Sequence, residues 1–212
     1  MLLVPAVSHA QALPFVAAET DAASLGTAGA GLVETSSVAD ASFSNAAVIP
    51  FSDNKLDASV GYTMWQPSSS NILNVGVAYN VKSKFGVALG VHYGMNPSYD
   101  VTNESGAVAG VFAPKDIHVN AGLAWRFLPF LSLGANIGYA TSSLAEGHSY
   151  GALAADVFAM AKFGDFRVTA GVANVGTTVK SASGAEFCIP GSIAVGAGYG
   201  KVFGEKHGID VL

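Results

Sequence analysis

From residue 56 onward the chain places a large apolar side chain at every second position and a small or polar one between, in runs of roughly ten residues, the length of a tilted strand that crosses a bilayer core. The clearest run, residues 85–94, sets Phe85, Val87, Leu89, Val91 and Tyr93 on one face and Gly86, Ala88, Gly90, His92 and Gly94 on the other. Successive strand side chains point to opposite faces, so such a strand has one greasy face and one small, polar face. The period recurs in the runs that begin at Leu56, Leu73, Ile117, Leu131, Leu153, Phe166 and Ile193, which makes about eight strands. In hydrocarbon a sheet satisfies its backbone groups by closing on itself. The pattern therefore predicts an all-β fold, an antiparallel up-and-down transmembrane β-barrel over residues 56–212.

The connections supply an independent argument. Those near 81–83, 127–129, 164–165 and 203–206 read as tight, whereas 66–71, 95–114, 141–149 and 176–191 read as longer and interleave with them. Outer-membrane barrels have short periplasmic turns and longer outer loops. With that orientation the outward aromatics fall into two belts. Tyr79, Phe85, Trp125, Phe163, Phe166 and Tyr199 form the lower one, and Tyr62, Tyr93 and Tyr139 the upper, as girdles at the two membrane interfaces should. A new alternation opens at Ile209 and Val211, which implies a ninth strand and, for an even-stranded barrel, a wall larger than this chain supplies.

Composition agrees with lipid as solvent. Charged residues make up 12% of the chain, about half the ~25% usual in soluble domains. No run of ~18 apolar residues suggests a spanning helix. The net charge of −5, with scattered Lys and Arg, excludes a phosphate-neutralising stripe and so argues against nucleic acid as a partner. Residues 1–12 read as the remnant of a secretory signal, with apolar Leu2, Leu3, Val4 and Val7 ahead of the small-x-small Ala10-Gln11-Ala12. The lone cysteine, Cys188, falls on an expected outer loop and has no partner for an intrachain disulfide. Residues 13–55 are rich in Ala, Gly and Ser without strand alternation. They are too apolar for a solvated tail and too irregular to face lipid, so they are expected to fill the lumen or its periplasmic mouth as a plug.

Within that segment, Ser24-Leu25-Gly26-Thr27-Ala28-Gly29-Ala30-Gly31 is followed by Asp40-Ala41 and then by Phe43-Ser44-Asn45-Ala46-Ala47. This succession resembles the plug of FadL-type outer-membrane transporters and their PorV/PorQ-type relatives, in which a glycine-rich opening, an acidic-alanine step and an Asn-Pro-Ala motif precede the first strand. Gly26, Gly29, Asn45, Ala46 and Ala47 carry the plug motif, with Ala46 standing where those families have proline. A second echo is Gly171-Val172-Ala173-Asn174-Val175-Gly176, followed by Ile189-Pro190 and by Ala194-Val195-Gly196-Ala197-Gly198-Tyr199. The resemblance implies an outer-membrane barrel in a Gram-negative envelope. Its partners would be outer-membrane lipid together with either hydrophobic small molecules in transit or proteins of a type IX-like secretion system.

No G-x-S-x-G, H-E-x-x-H, Cys-x-x-Cys or P-loop is present. The spacing Gly26-x-x-Gly29-x-Gly31 does not match a dinucleotide fingerprint and follows no strand. Enzyme chemistry, a cofactor and a catalytic residue are therefore not expected. The candidate lumen residues are His92, His118, Asn120 and Arg126. A hairpin centred near Ser105 would set His92 and His118 opposite each other on neighbouring strands. Two imidazoles so placed are able to hold a metal or respond to pH; they serve equally as plain polar lumen groups with water or Asn120 as partners, and on that reading no metal site is expected. Asp116, Asn136, Asp156 and Lys162 read as lumen or rim groups. The function classes left open are a conduit for hydrophobic molecules, a secretion component, and a soluble or surface-exposed β-sandwich adhesin.

Overall fold

The computed structural model describes residues 11–27, 29–66, 70–180, 184–203 and 207–212. Apart from Gln11 and Ala12, the expected signal remnant lies outside them, as does the turn expected at Gly204-Glu205-Lys206. The chain forms β1 (Leu56–Gln66), β2 (Ser70–Val81), β3 (Phe85–Met95), β4 (Tyr99–Thr102), β5 (Val108–Phe112), β6 (Lys115–Leu128), β7 (Leu131–Ala145), β8 (His148–Phe163), β9 (Phe166–Gly176), β10 (Val179–Lys180), β11 (Glu186–Phe187), β12 (Ser192–Phe203) and β13 (His207–Val211). Nine of these make one antiparallel sheet in the order β1-β2-β3-β6-β7-β8-β9-β12-β13, while β4-β5 and β10-β11 are small ladders of their own. The expected strands all appear, including the ninth at Ile209 and Val211.

Among the described residues the sheet is open and not closed into a barrel, since β1 and β13 each pair on one side only. It is nonetheless strongly curled. Laid flat, nine strands would hold β1 and β13 about 38 Å apart. Yet Asp53 and Asn54, just ahead of β1, line the same cavity of about 420 Å³ as Ile209 and Asp210 of β13.

Two of the four connections expected to be long are short. Strand β7 runs on to Ala145 and β8 begins at His148, with Gly147 taking the left-handed conformation of the turn (φ 71°). Between β1 and β2 only residues 67–69 intervene. The polar run Thr141-Ser142-Ser143 has loop composition, yet Ser142 faces the buried side and Leu144 is exposed beside it. The other two long connections carry the β4-β5 and β10-β11 ladders.

The faces of the sheet are the reverse of those of a soluble sheet, which buries its apolar face and solvates its polar one. On β3, Val87, Leu89 and Val91 are exposed, whereas Gly86, Ala88, Gly90 and His92 are buried. The small, polar face is covered by residues 13–52, a segment that contains the helix Ala22–Gly26 and three short 3-10 helices, Pro14–Ala17, Gly31–Val33 and Ala46–Phe51. Val38, Ala41, Ala46, Ala47, Ile49 and Phe51 from this segment share one core with Ala78, Ala88, Ala124, Phe158 and Met160 of the sheet.

Candidate functional site

The inward glycines are the seats of the N-terminal segment. A Cβ at Gly134 would meet the backbone of Ala47, one at Gly86 would lie 2.6 Å from Ile49 Cβ, and one at Gly90 would press on the Phe43 ring. At these positions the face serves close approach of the N-terminal segment, of its backbone at Gly134 and of its side chains at Gly86 and Gly90, which no larger residue permits. At Gly90 the face is filled by Phe43 and Ser42 and does not line an open channel.

Asn45 fastens the segment. Its Oδ1 accepts from Ala47 N at 2.9 Å as an N-cap, and its Nδ2 donates to Leu32 O at 2.8 Å and to Thr169 Oγ1 on β9 at 3.0 Å. Ala46 and Ala47 open the capped 3-10 helix and are fully buried. A helix's first position tolerates proline because its N–H needs no intrahelical acceptor, so the backbone at Ala46 would accept proline as well as alanine. Ser132 Oγ donates to Ala47 O. Gly26 ends the helix Ala22–Gly26, and Gly29 turns the chain with φ 86°, but both lie in the exposed part of the segment with open space around them.

Asp40 joins the segment to the first two strands. It accepts from Ser59 Oγ of β1 at 2.8 Å and from Asn74 Nδ2 of β2 at 3.3 Å. Burial pushes its carboxyl above the ordinary carboxylate range, against those two bonds and with a contribution from Asp21.

The register places His92 of β3 directly opposite His118 of β6, and the hairpin between them turns over residues 103–107, centred on Ser105. The two rings lie 6.0 Å apart, edge to face. A third ring completes the cluster: Phe43 stacks on His92 at 3.5 Å and meets the edge of His118 at 5.3 Å. Thr20 Oγ1 is 3.0 Å from His92 Nε2. Both His118 nitrogens and Asn120 Oδ1 lack a hydrogen-bond partner among the described residues, so Asn120 is beside the pair without bonding it. No cluster of three His, Cys, Asp or Glu occurs among the described residues.

Arg126 stands apart from the pair, eight residues along β6 from His118, which is about 27 Å of strand. Its guanidinium lies 4.6 Å over the Phe51 ring and donates to Pro129 O at the tight-turn end. Lys162 lines a cavity with it there.

Asn136 Nδ2 donates to Asp156 Oδ2 at 3.2 Å and to Ala41 O, while Asp156 Oδ1 accepts from Asn174 N at 2.7 Å. Asn174 is left-handed (φ 55°) in a bulge where β9 has two residues, Ala173 and Asn174, facing the single Asp156 of β8. Its place in the Gly-Val-Ala-Asn-Val-Gly run is thereby explained, because asparagine is the residue after glycine that best tolerates this conformation.

Sequence reasoning missed the cavities at the long-loop end, because their walls come from irregular segments. The larger one, about 680 Å³, is walled by Leu13, Phe15, Pro97, Pro114, Leu144 and Tyr150, and Asp116 is at its edge. A second, about 350 Å³, shares Pro14, Phe15, Asn96 and Asp116 with it and reaches Ile72 and His92. Asp116 accepts from Asn96 Nδ2 at 2.8 Å. Cys188 is a free, exposed thiol whose carbonyl accepts from Ala12 N at 2.9 Å.

Set against known proteins, the chain matches no family model and no curated sequence.

Proposed function

We propose that the protein is a FadL-like component of a bacterial outer membrane, a conduit for hydrophobic small molecules in which residues 13–52 form the plug. The observation that carries this reading is the apolar cavity at the long-loop end, floored by the start of the plug and continued past Phe15 to the His92–Phe43–His118 cluster. A greasy solute would enter from the long-loop side, rest in the cavity and need the plug to shift before going further. Lipid is the solvent that suits the outward face, where Val60, Leu89, Leu123 and Ile137 are each 59% exposed or more, a continuous apolar surface far beyond the few hundred Å² of ordinary soluble proteins. The free edges of β1 and β13 carry backbone groups that hydrocarbon cannot satisfy; this reading requires further strands to complete the wall.

The secretion reading also draws on a specific feature. The β4-β5 hairpin exposes Val108, Val111 and Tyr99 above the sheet and is tied to β7 through Tyr99 Oη donating to Leu144 O, a presented apolar surface of the kind a protein partner uses.

Purification from native membranes separates the two. A lipid-like molecule that co-purifies and is displaced by dodecanoate supports the conduit, whereas a stoichiometric protein partner with an empty cavity supports secretion. Recovery of the protein as a monodisperse species without detergent would sink both.

A further inference from the structure

We infer that the tight-turn end of β1–β3 is a binding site for an anionic phospholipid, with its phosphate held by Lys55, Lys82 and Lys84 and its acyl chains lying along the outward columns headed by Tyr79 and Phe85. The site rests on the membrane reading above, since it exists only where the outward face meets lipid.

Lys55 leads into β1, and Lys82 and Lys84 flank Ser83 in the β2-β3 turn. Because β1, β2 and β3 are consecutive neighbours, the three lysines share a front about 10 Å wide. The turn itself is unusual, with Lys82 at φ 55° and Ser83 at φ 51°, a two-residue reversal normally made by Asn-Gly. A lysine at the first of these positions is an expensive choice for turn-making alone.

Two of the ammonium groups are already placed against interfacial rings. Lys55 Nζ is 5.8 Å from the Tyr79 ring centroid, and Lys84 Nζ is 5.9 Å from that of Phe85. Both rings are exposed on the outward face. This is the arrangement of a snorkelling side chain, its stem on apolar surface and its charge at headgroup level. Below the rings, Val77 and Val75 on β2 and Val87 and Leu89 on β3 continue the apolar columns.

Among the described residues no ion pair neutralises the three charges. The ion pairs among the described residues are Arg167–Asp210 and Lys180–Glu186. Of the carboxylates nearest in sequence, Asp57 is turned toward the N-terminal segment, where it accepts from Val38 N and Asn54 Nδ2, and Asp53 pairs with no lysine. The other ends of the same three strands, Thr63 to Gln66, Ser70 to Ile72 and Tyr93 to Asn96, carry no charged residue. Along β1–β3 the lysines are therefore confined to the tight-turn end, while at the other end Lys115 of β6 stands opposite Met95; three unpaired ammoniums over an apolar column fit a phosphate-bearing diacyl lipid.

Trp125 makes the site observable. It lies outward on β6, directly opposite Phe85 in the register and half exposed. The chain has two tryptophans, so Trp65→Phe leaves Trp125 as the sole indole. The test places this protein in phosphatidylcholine vesicles that contain a minor fraction of lipid brominated on its acyl chains, either phosphatidylglycerol or phosphatidylcholine, and reads indole quenching. Brominated phosphatidylglycerol should show a relative binding constant at least about fivefold above brominated phosphatidylcholine, the preference a single lysine confers near an anionic surface. The triple variant Lys55→Gln, Lys82→Gln, Lys84→Gln should bring the ratio close to one while quenching by brominated phosphatidylcholine is retained, which shows that the variant still inserts. Equal quenching by the two lipids before mutation would overturn the site. Loss of the preference in excess inorganic phosphate would assign the lysines to free phosphate instead. If neither lipid quenches and aqueous iodide does, the membrane reading itself has failed, a result distinct from the other two.

Discussion

Asn45 and Thr169 lie 3.0 Å apart, amide to hydroxyl, although 124 residues separate them in the chain. The same amide caps the Ala46–Phe51 helix and holds Leu32 O, so one buried side chain joins the two halves of the N-terminal segment to β9. Asn45→Ala should cost about 2–3 kcal/mol, the sum of a lost cap and of buried groups left unpaired. Asn45→Asp keeps the cap but sets a carboxylate against Leu32 O, and should also destabilise. Urea unfolding of the protein refolded in detergent micelles measures both, and a midpoint unchanged by Asn45→Ala would show that the segment is not anchored there.

Leu89 and Gly90 test the two faces of one strand. Leu89→Arg puts a charge on the outward face and should cost ~2–4 kcal/mol near the midplane of a bilayer, and less in a micelle, where water is closer. Gly90→Ser is costly for another reason. Its Cβ would press on the Phe43 ring and lie 2.6 Å from Ser42 Oγ, so its effect, of about 1–3 kcal/mol from overpacking, should be the same in bilayer and micelle. Unfolding titrations in both media compare them; a Leu89→Arg cost that does not depend on the medium would mean that the outward face does not meet lipid.

The strands were readable because a two-sided sheet writes its facing into alternate residues, as Phe85 to Gly94 show. The His92–His118 pairing was readable for the same reason, once the hairpin was centred near Ser105. What the alternation did not reveal is what covers the inward face. Phe43 sits in a stretch of small residues with no period, and its partner is a glycine, Gly90, which looks like empty space in a sequence. The only available signal was complementarity, one of the segment's three phenylalanines, Phe15, Phe43 and Phe51, against a face of glycines. The lengths of β7 and β8 were hidden because Thr141, Ser142 and Ser143 have turn-forming composition, whereas the sheet uses them as strand and leaves the reversal to Gly147. Curling without closure was also beyond the pattern, since alternation specifies faces and leaves edge pairing unspecified.

Asp40 predicts a pH dependence. Its folded pKa is raised, chiefly by burial, so the folded state binds the proton more tightly than the unfolded state does. Its contribution to stability is then fully present below the unfolded value near 3.8 and is lost as pH rises through the higher folded value. Asp40→Asn should flatten the part of the stability profile that lies above the unfolded value, and should not destabilise at neutral pH, because an amide can still bond Asn74 and Ser59. Asp40→Ala leaves both partners unsatisfied and should destabilise at every pH. A slope of opposite sign, or one that survives Asp40→Asn, would assign the titration elsewhere.

On the conduit reading, a tether between the N-terminal segment and the sheet decides whether passage requires that segment to move. A Cβ built on Gly122 lies 3.2 Å from Ala46 Cβ, and Asn136 Oδ1, on the buried amide bonded to Asp156 and Ala41 O, is the group that must give way; a disulfide spans about 3.5–4.5 Å between its two Cβ atoms. In a Cys188→Ser background, Ala46→Cys with Gly122→Cys should therefore form an intrachain bond on mild oxidation, visible as a mobility shift that a reductant reverses. Failure of the bond to form would show that the segment is not seated on β6 in the membrane. With the bond formed, uptake of a fluorescent dodecanoate into outer-membrane vesicles should fall to background and return on reduction, because the Ala46–Phe51 helix fills the space between the inward faces of β3, β6 and β7. Uptake that is indifferent to the tether would mean that the solute crosses without displacing the plug, and would shift the weight of the functional reading toward protein docking.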